Sequence, residues 1–286
     1  MQNVLVPTDF SVEARNALEV ALQLAQRTGG QVTLLHVVDL PRTSGMITTG
    51  GVASASARQG VFIVQLLQRI KRRMHELMAD VARLAPDVAM QDRIATGHDV
   101  DEAILDAIGE LHIDLVVMGA REHAPAFHLF TPDSHPERLV RLAPCAVLTV
   151  KHPAPHFEVR SIVFASDFSH EADRLMPQLR HLCITFPEAT LHLLDVETSA
   201  EGYAAALDRV HAFADRHQLA AYEADVFNAP QVRAGIPRFA EEAHADLVVM
   251  LTHGHTGLQH LLHGNLAEGV AVQAAAPVLT FHPQEQ

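Results

Sequence analysis

Short apolar runs alternate with longer segments of helical spacing along the whole chain. Such runs predict strands buried on both faces, because a strand with one face in water would alternate apolar and polar residues. In the first half the predicted strands are residues 4–6, 31–38, 87–95, 115–118 and 145–150. Helices are predicted between them, from an N-cap at Ser11 to a stop at Gly29, and over residues 61–84, 101–111 and 137–142.

The same order of patterns returns in the second half. Residues 162–169 repeat 4–11, residues 191–195 repeat 35–39, residues 247–250 repeat 115–118, and residues 278–280 repeat 147–149. Alternating strands and helices predict a doubly wound parallel sheet in each half. Segment 151–158 carries two prolines and predicts a linker, so we predict domains over residues 1–152 and 158–286.

One segment has no counterpart in the second half. Residues 40–60 are rich in Gly, Ser and Thr and show no hydrophobic period, which predicts a long loop. A loop of this length inside a compact domain is usually functional or disordered.

Composition narrows the class of protein. A net charge of −13 argues against a nucleic-acid partner, since such partners usually meet a basic face. No apolar run is long enough to cross a bilayer, and the N-terminus lacks the pattern of a signal peptide. Two cysteines do not form a disulfide framework, so we predict a cytoplasmic protein without a membrane partner.

The most informative stretch is residues 246–269, where a short apolar run leads into a polar segment and then into helical spacing. The polar segment contains Gly254 and Gly257. A strand, a glycine-bearing loop and a helix together present backbone N–H groups and a helix N-terminus to an anion. Residues 114–119 repeat the strand but not the glycines that follow it.

These motifs together resemble the universal stress protein family. They are Pro-Thr-Asp-Phe-Ser at 7–11, Leu-His-Val-Val-Asp at 35–39, and Val-Val-Met at 248–250 followed by Thr-His-Gly-His-Thr-Gly-Leu at 252–258. The resemblance runs along nearly the whole chain twice. It implies a tandem protein of two Rossmann-like domains, each with a five-stranded parallel sheet, that acts in the response to stress.

The nucleotide-binding branch of that family has a signature after its fourth strand: Gly, two residues, Gly, nine residues, then Gly followed by Ser or Thr. In the second half Gly254 and Gly264 match, while Leu251 takes the first position and Asn265 the last. In the first half only Gly119 matches. The other positions there fall on Glu122, Pro132 and Asp133.

This comparison predicts ATP or another adenine nucleotide in the second half, with Mg as an accompanying ion. Glycines let backbone N–H groups converge on phosphates, whereas Glu122 would repel them and Pro132 lacks an N–H. The first half is therefore predicted to be structural or regulatory. Leu251 is a departure that could crowd the ribose or the adenine.

The resemblance also implies a set of cofactor-binding residues. Asp167 would meet the nucleoside end, and Leu193 and Met250 would flank the adenine. The full set is Ala165, Asp167, Leu193, Met250, Gly254, His255, Gly257, Gly264 and Asn265. The alternative reading is that Asp167 caps a helix, that Leu193 and Met250 belong to the core, and that the glycines keep an inherited turn.

No catalytic constellation stands out, so we predict at most slow ATP hydrolysis. His253 and His255, or the histidines at 123, 128 and 135, could bind a metal, but His-x-His alone is a weak signal. Two other functions stay open. One is a nucleotide-free module for interaction or small-ligand binding in which both sites have lapsed. The other is an ATPase with the 40–60 loop as a lid.

The resemblance implies how the domains assemble. Family members pair through their last strands, so residues 147–150 would meet residues 278–280 within one chain. Such pairing covers two sheet edges that would otherwise invite aggregation. A homodimer of tandem chains is compatible with this arrangement.

Overall fold

The computed structural model describes residues 2–39, 52–97, 99–121, 134–199, 202–252 and 266–282, without the side chains of residues 39 and 52–60. Its strands are β1 (Asn3–Pro7), β2 (Gln31–Asp39), β3 (Met90–Gly97), β4 (Leu115–Gly119), β5 (Ala146–Val150), β6 (Ser161–Ala165), β7 (Thr190–Glu197), β8 (Glu223–Asn228), β9 (Leu247–Leu251) and β10 (Val278–Phe281). Its helices are α1 (Val12–Thr28), α2 (Val52–Val81), α3 (Val100–Glu110), α4 (His135–Leu142), α5 (Met176–Thr185), α6 (Tyr203–Arg216), α7 (Val232–Glu242) and α8 (Leu266–Gln273).

All of these strands lie in one sheet, in the order β3-β2-β1-β4-β5-β10-β9-β6-β7-β8. Within each half the five strands are parallel and follow the order of a doubly wound fold, which confirms the predicted fold class. The halves meet where β10 runs antiparallel to β5, with Leu279 opposite Leu148. The Thr280 hydroxyl donates to the Val147 carbonyl at this seam, 3.2 Å away.

Two apolar layers cover the two faces of the sheet. Helices α1, α2, α5 and α6 pack on one face, and α3, α4, α7 and α8 pack on the other. Adjacent strand residues therefore enter different layers: Val4 and Val6 belong to the first, and Leu5 to the second. This double burial is why the strands show continuous apolar runs rather than alternation.

Local signals set the ends of α1. The Ser11 hydroxyl accepts a hydrogen bond from the Ala14 N–H at 3.2 Å, which satisfies one of the unpaired donors of the first turn. Gly29 ends the helix with φ at 69°, a left-handed conformation that glycine adopts without a steric penalty. Both ends match the positions predicted from sequence.

Two boundaries differ from the prediction. Helix α2 begins at Val52, so residues 52–60 of the predicted 40–60 loop are helical, and residues 40–51 lie outside the described residues. Strand β3 begins at Met90 and continues to Gly97, whereas a strand over residues 87–95 was predicted. Pairing with β2 explains the extension, since Thr96 and Gly97 lie opposite Val38 and Asp39.

Two polar contacts join the halves near helices α4 and α8. The buried Lys151 ammonium donates to the carbonyls of Val272 and Ala274 at the end of α8. The counterpart comes from the second half, where His282 Nε2 lies 2.7 Å from the Arg141 carbonyl near the end of α4. Each contact places a polar side chain at the C-terminal end of a helix in the other half, where carbonyls lack intrahelical partners.

None of the described helices is both long and apolar enough to cross a membrane.

Candidate functional site

Each half has a cleft at the carboxyl ends of its central strands. In a doubly wound sheet the strand order reverses between the first and fourth strands, and helices leave on opposite faces there, which opens a crevice. The first-half cleft, between β1 and β4, has a volume of about 440 Å³, and the second-half cleft, between β6 and β9, about 230 Å³. Ligand pockets usually measure roughly 300–1,000 Å³.

Three of the predicted site residues come together in the second-half cleft. Ala165 at the end of β6, Asp167 just after it, and Met250 in β9 all line the space. Ala165 and Met250 are buried, and Asp167 is exposed. The remaining described lining residues are Ser166, Ser169, Glu171, Ala172, Leu194, Asp195, Val196, Val232, Ile236, Leu251 and Leu266.

Leu193 requires a correction. Its side chain is fully buried in the apolar layer beneath α5 and α6, and its neighbour Leu194 lines the cleft instead. Successive strand residues point to opposite faces, so a shift of one residue moves a side chain from the ligand side to the core. The apolar run in β7 hides that alternation because both faces are buried.

The glycine-bearing segment cannot be placed beside these residues. Gly254, His255, Gly257, Gly264 and Asn265 lie outside the described residues. So do the first-half residues Glu122, Pro132 and Asp133, and the histidines at 123, 128 and 253.

The two clefts share the local structure of their first loop. Asp167 Oδ1 accepts a hydrogen bond from the Ser169 N–H at 3.0 Å, and Asp9 Oδ1 accepts one from the Ser11 N–H at 2.9 Å. Phe168 has φ at 54° and Phe10 at 64°, so both loops turn through the left-handed region between the aspartate and the serine. Asp167 therefore stabilises a turn and also lines the cleft, and its contact with a nucleoside stays a prediction.

The clefts differ where the fourth strand ends. A Cβ on Gly119 would lie 2.6 Å from the Ala14 nitrogen, so only glycine lets the first turn of α1 approach β4 so closely. Leu251 occupies the equivalent position in the second half and lines the cleft. There the chain forms a turn and a 3₁₀-helix over Ala172–Leu175 before α5 begins at Met176.

Charge also distinguishes the clefts. The described lining of the second-half cleft includes Asp167, Glu171 and Asp195, and no Lys or Arg. Asp195 is 5% exposed, and burial raises its pKa despite the neighbouring Arg209. Asp195 was not among the site residues predicted from the sequence. The available signal was an acidic residue at the end of an apolar second strand, where doubly wound folds often place a ligand-binding carboxylate.

The described lining of the first-half cleft includes a basic residue, Arg121. Arg121 lies 3.6 Å from Asp9 and 3.7 Å from Glu13, measured between guanidinium nitrogens and carboxylate oxygens. The pKa of Asp9 is lowered, because hydrogen bonds from Ser11 and the charge of Arg121 outweigh the opposite effect of burial. His135 also lines this cleft, and its Nδ1 lies 2.7 Å from the Oδ1 of buried Asp101.

The position where α4 starts changes which first-half residue corresponds to Asn265. Ser134 is its N-cap, and both its N–H and its hydroxyl donate to the Glu137 carboxylate, at 2.8 and 2.9 Å. Counted from the first residues of α4 and α8, Ser134 corresponds to Asn265. The first half thus keeps a hydroxyl at the end of the nucleotide signature, which the sequence comparison had assigned to Pro132 and Asp133. That hydroxyl is already paired with a carboxylate.

Metal and thiol chemistry have little support in the described part of the chain. No group of three or more His, Cys, Asp or Glu side chains there could hold a metal ion. Both cysteines are free, and burial together with the charge of Asp114 raises the pKa of Cys145 to about 12. The Cys145 thiol is therefore protonated and unreactive near neutral pH.

The chain matches the model of the universal stress protein family twice, over residues 1–151 and 158–282. It is 23% identical to the universal stress protein Slr1230 of Synechocystis over 292 residues, which cover 98% of this chain and all of that one. It is 25% identical to the universal stress protein E homolog of Haemophilus influenzae over 316 residues, covering 100% and 98% of the two chains.

Solved structures show the same fold over the whole length. A universal stress protein from Archaeoglobus fulgidus matches with a TM-score of 0.73 at 18% identity, covering 99% of this chain and 98% of that one. A universal stress protein from Pseudomonas aeruginosa, described as putative in its own structure, matches with a TM-score of 0.64 at 19% identity, covering 99% and 94%. With two family matches that span nearly all residues, this chain belongs to the universal stress protein family as a tandem member.

Proposed function

We propose that this protein acts in the cytoplasmic stress response by binding one adenine nucleotide per chain in its second half. The observation that carries the proposal is the cleft between β6 and β9, which brings Ala165, Asp167 and Met250 together. The chain leaves this cleft at Thr252 and enters the segment that holds Gly254 and Gly264. In this proposal the nucleoside occupies the cleft, and the phosphates lie against the glycine-bearing segment.

The first half has a structural or regulatory role in this proposal. It supplies β5, the partner strand of β10, and its Lys151 binds the C-terminal end of α8. Its own cleft is larger, but the sequence there replaces two signature glycines, and the Ser134 hydroxyl donates to Glu137. Hydrolysis is not part of the proposal, since no catalytic constellation stands out in the sequence.

Binding to the emptied full-length protein tests the proposal. Isothermal titration with ATP should give one site per chain, and Gly254→Glu should abolish the heat by placing a carboxylate against the phosphates. Asp167→Asn should weaken binding about tenfold, as expected for a hydrogen bond to a charged group. Asp9→Asn is the matched control, because Asp9 holds the same turn in the first half. Equal losses of ATP affinity from the two aspartate variants would show that the nucleotide does not bind in the second half alone.

A second function is favoured by Leu251 and by the acidic lining of the cleft. In this alternative the nucleotide site has lapsed, and the cleft takes an uncharged or cationic small molecule, or the protein works through a partner. Leu251→Gly discriminates between the two functions. A native chain indifferent to millimolar ATP that gains affinity with Leu251→Gly would support the lapsed site, whereas tight binding by the native chain would exclude it.

A further inference from the structure

The lining of the second-half cleft includes a buried carboxylate, Asp195, of which only one oxygen accepts hydrogen bonds from described residues. Asp195 lies on β7, the second strand of its half, and lines the cleft with a side chain that is 7% exposed. Arg209 from α6 donates to it through Nε at 3.1 Å and Nη2 at 2.8 Å. Both bonds go to Oδ2, and Oδ1 has no hydrogen bond among the described residues.

The position of this carboxylate is fixed from behind. Arg209 Nη2 also donates to Glu197 Oε1 at 2.5 Å, so the guanidinium is held by two carboxylates of the same strand. Gly202 makes room for this arrangement, since a Cβ there would lie 2.7 Å from the Glu197 carboxyl carbon. Asp195 therefore does not need a ligand to be ordered, and its free oxygen is already oriented.

An unpaired carboxylate oxygen in a largely buried position favours a ligand that donates a hydrogen bond. Oδ1 is not among the fully buried atoms that lack a partner, so a ligand hydroxyl or amine in the cleft can reach it and donate a hydrogen bond. The surrounding charge also disfavours an anionic group, because Asp167 and Glu171 line the cleft and no described lining residue is basic. This end of the cleft therefore favours the sugar of a nucleotide over its phosphates.

We infer that Asp195 is a specificity-determining residue, and that its Oδ1 accepts a hydrogen bond from a ribose hydroxyl of the bound nucleotide. The inference rests on the proposed function. It agrees with a general property of doubly wound sheets, in which an acidic residue at the end of the second strand binds ribose hydroxyls. Ribonucleotides should consequently bind more tightly than their deoxy analogues. Arg209 acts as the positioning residue, because it holds the Asp195 carboxylate through Oδ2 and leaves Oδ1 available.

The test compares the affinities of ATP, 2′-deoxy-ATP and 3′-deoxy-ATP for the full chain by isothermal titration. We expect the native protein to bind ATP at least tenfold more tightly than one of the two deoxy analogues. Asp195→Asn should weaken ATP to the level of that analogue and remove the difference. Arg209→Met should reduce the difference, because the Asp195 carboxylate is retained but loses the partner that holds it.

Asp225→Asn is the matched control, because Asp225 is a partly buried carboxylate on the neighbouring strand β8 that pairs with His192 and does not line the cleft. It should leave the ATP to deoxy-ATP ratio unchanged. Circular dichroism and urea unfolding establish that each variant is folded. Equal binding of all three nucleotides by the native chain, or discrimination that persists in Asp195→Asn, would overturn the inference alone. Failure to bind any of them would overturn the proposed function and the inference together.

Discussion

Single glycines and carboxylates account for much of the difference between the two halves. Gly119 allows β4 and the first turn of α1 to touch, while its counterpart Leu251 lines a smaller cleft. Asp9 and Asp167 hold equivalent turns, yet Arg121 lies near Asp9, and no described lining residue of the second cleft is basic. The repeat thus keeps its turn geometry while its chemistry has diverged.

Gly119→Ala should destabilise the protein by roughly 1–3 kcal/mol, because the new Cβ would overlap the backbone of α1. Gly109→Ala is the control. It also replaces a glycine, but on α3, where a Cβ would meet nothing within 4 Å, so the change should stabilise by up to about 1 kcal/mol. Urea unfolding at neutral pH measures both. Equal effects of the two substitutions would contradict the close approach at Gly119.

Asp173 predicts a pH dependence of stability. Burial alone would raise its pKa, but hydrogen bonds from Arg216, His217 and His170 lower the pKa to about 2 from an ordinary value of 3.8. A lowered folded-state pKa means that the stabilisation is complete above about pH 4 and is lost as pH falls towards 2.

Asp173→Asn should therefore cost roughly 1 kcal/mol or less at pH 7, the usual range for a pair near the surface. Its difference from the native chain should shrink between pH 4 and pH 2. Asp208→Asn, which changes an exposed carboxylate on α6, should show no such trend. Chemical unfolding across this pH range measures the effect, and a constant difference would show that Asp173 stabilises the fold by other means.

At the scale of elements, α2 is attached to the protein along its C-terminal half. Met74 and Val81 are fully buried, whereas Val61, Phe62 and Val64 are 58%, 64% and 54% exposed. The sequence predicted a helix over residues 61–84 but not which part of it is buried. Contact begins where α2 lies over β3 and α1, with Arg73 stacked on the Phe10 ring at 4.4 Å.

Met74→Ala should destabilise the protein by about 2–5 kcal/mol, as expected when a fully buried side chain leaves a cavity. Phe62→Ala removes a larger side chain from the same helix but should change the free energy of unfolding by less than about 0.5 kcal/mol, because the ring is exposed. Thermal and urea unfolding of both variants provide the comparison. A large loss from Phe62→Ala would mean that the ring is covered in solution.

At the scale of the whole molecule, the seam between β5 and β10 turns two five-stranded sheets into one of ten strands. Each half by itself would end in an unpaired strand, and such edges promote association. Lys151 and His282 add polar contacts across the same junction. The two halves are therefore joined by strand pairing and polar contacts as well as by the chain that links them.

Separately produced halves, residues 1–152 and 158–286, should each self-associate through the exposed strand, and when co-expressed they should form a one-to-one complex. Size-exclusion chromatography with light scattering measures this. Lys151→Met should weaken the complex, since its ammonium binds carbonyls at the end of α8. Lys71→Met, which changes an exposed lysine on α2, is the control. Two monomeric halves without affinity for each other would refute the role of the seam.

Local patterns were sufficient for the fold class and for most elements. The helix start at Ser11, the stop at Gly29 and the repeated apolar strands depend on neighbouring residues, so the sequence by itself determined them. The family resemblance likewise followed from short motifs read in order. Ala165, Asp167 and Met250 line one cleft, because the carboxyl ends of parallel strands meet at one edge of the sheet, and their role in binding stays a prediction.

Only the tertiary structure decided features that depend on distant residues. Leu194, and not Leu193, lines the cleft. The sequence could not show this, because helices cover both faces of the sheet and the strand therefore lacks the alternation of apolar and polar residues that would tell its two faces apart. Asp195 became a candidate once Arg209, fourteen positions away, was seen to use one of its oxygens and leave the other. The register of β5 with β10 and the closeness of Gly119 to α1 are long-range contacts. Such contacts join residues that are far apart in the sequence, so local patterns cannot predict them and only the folded chain brings the residues together.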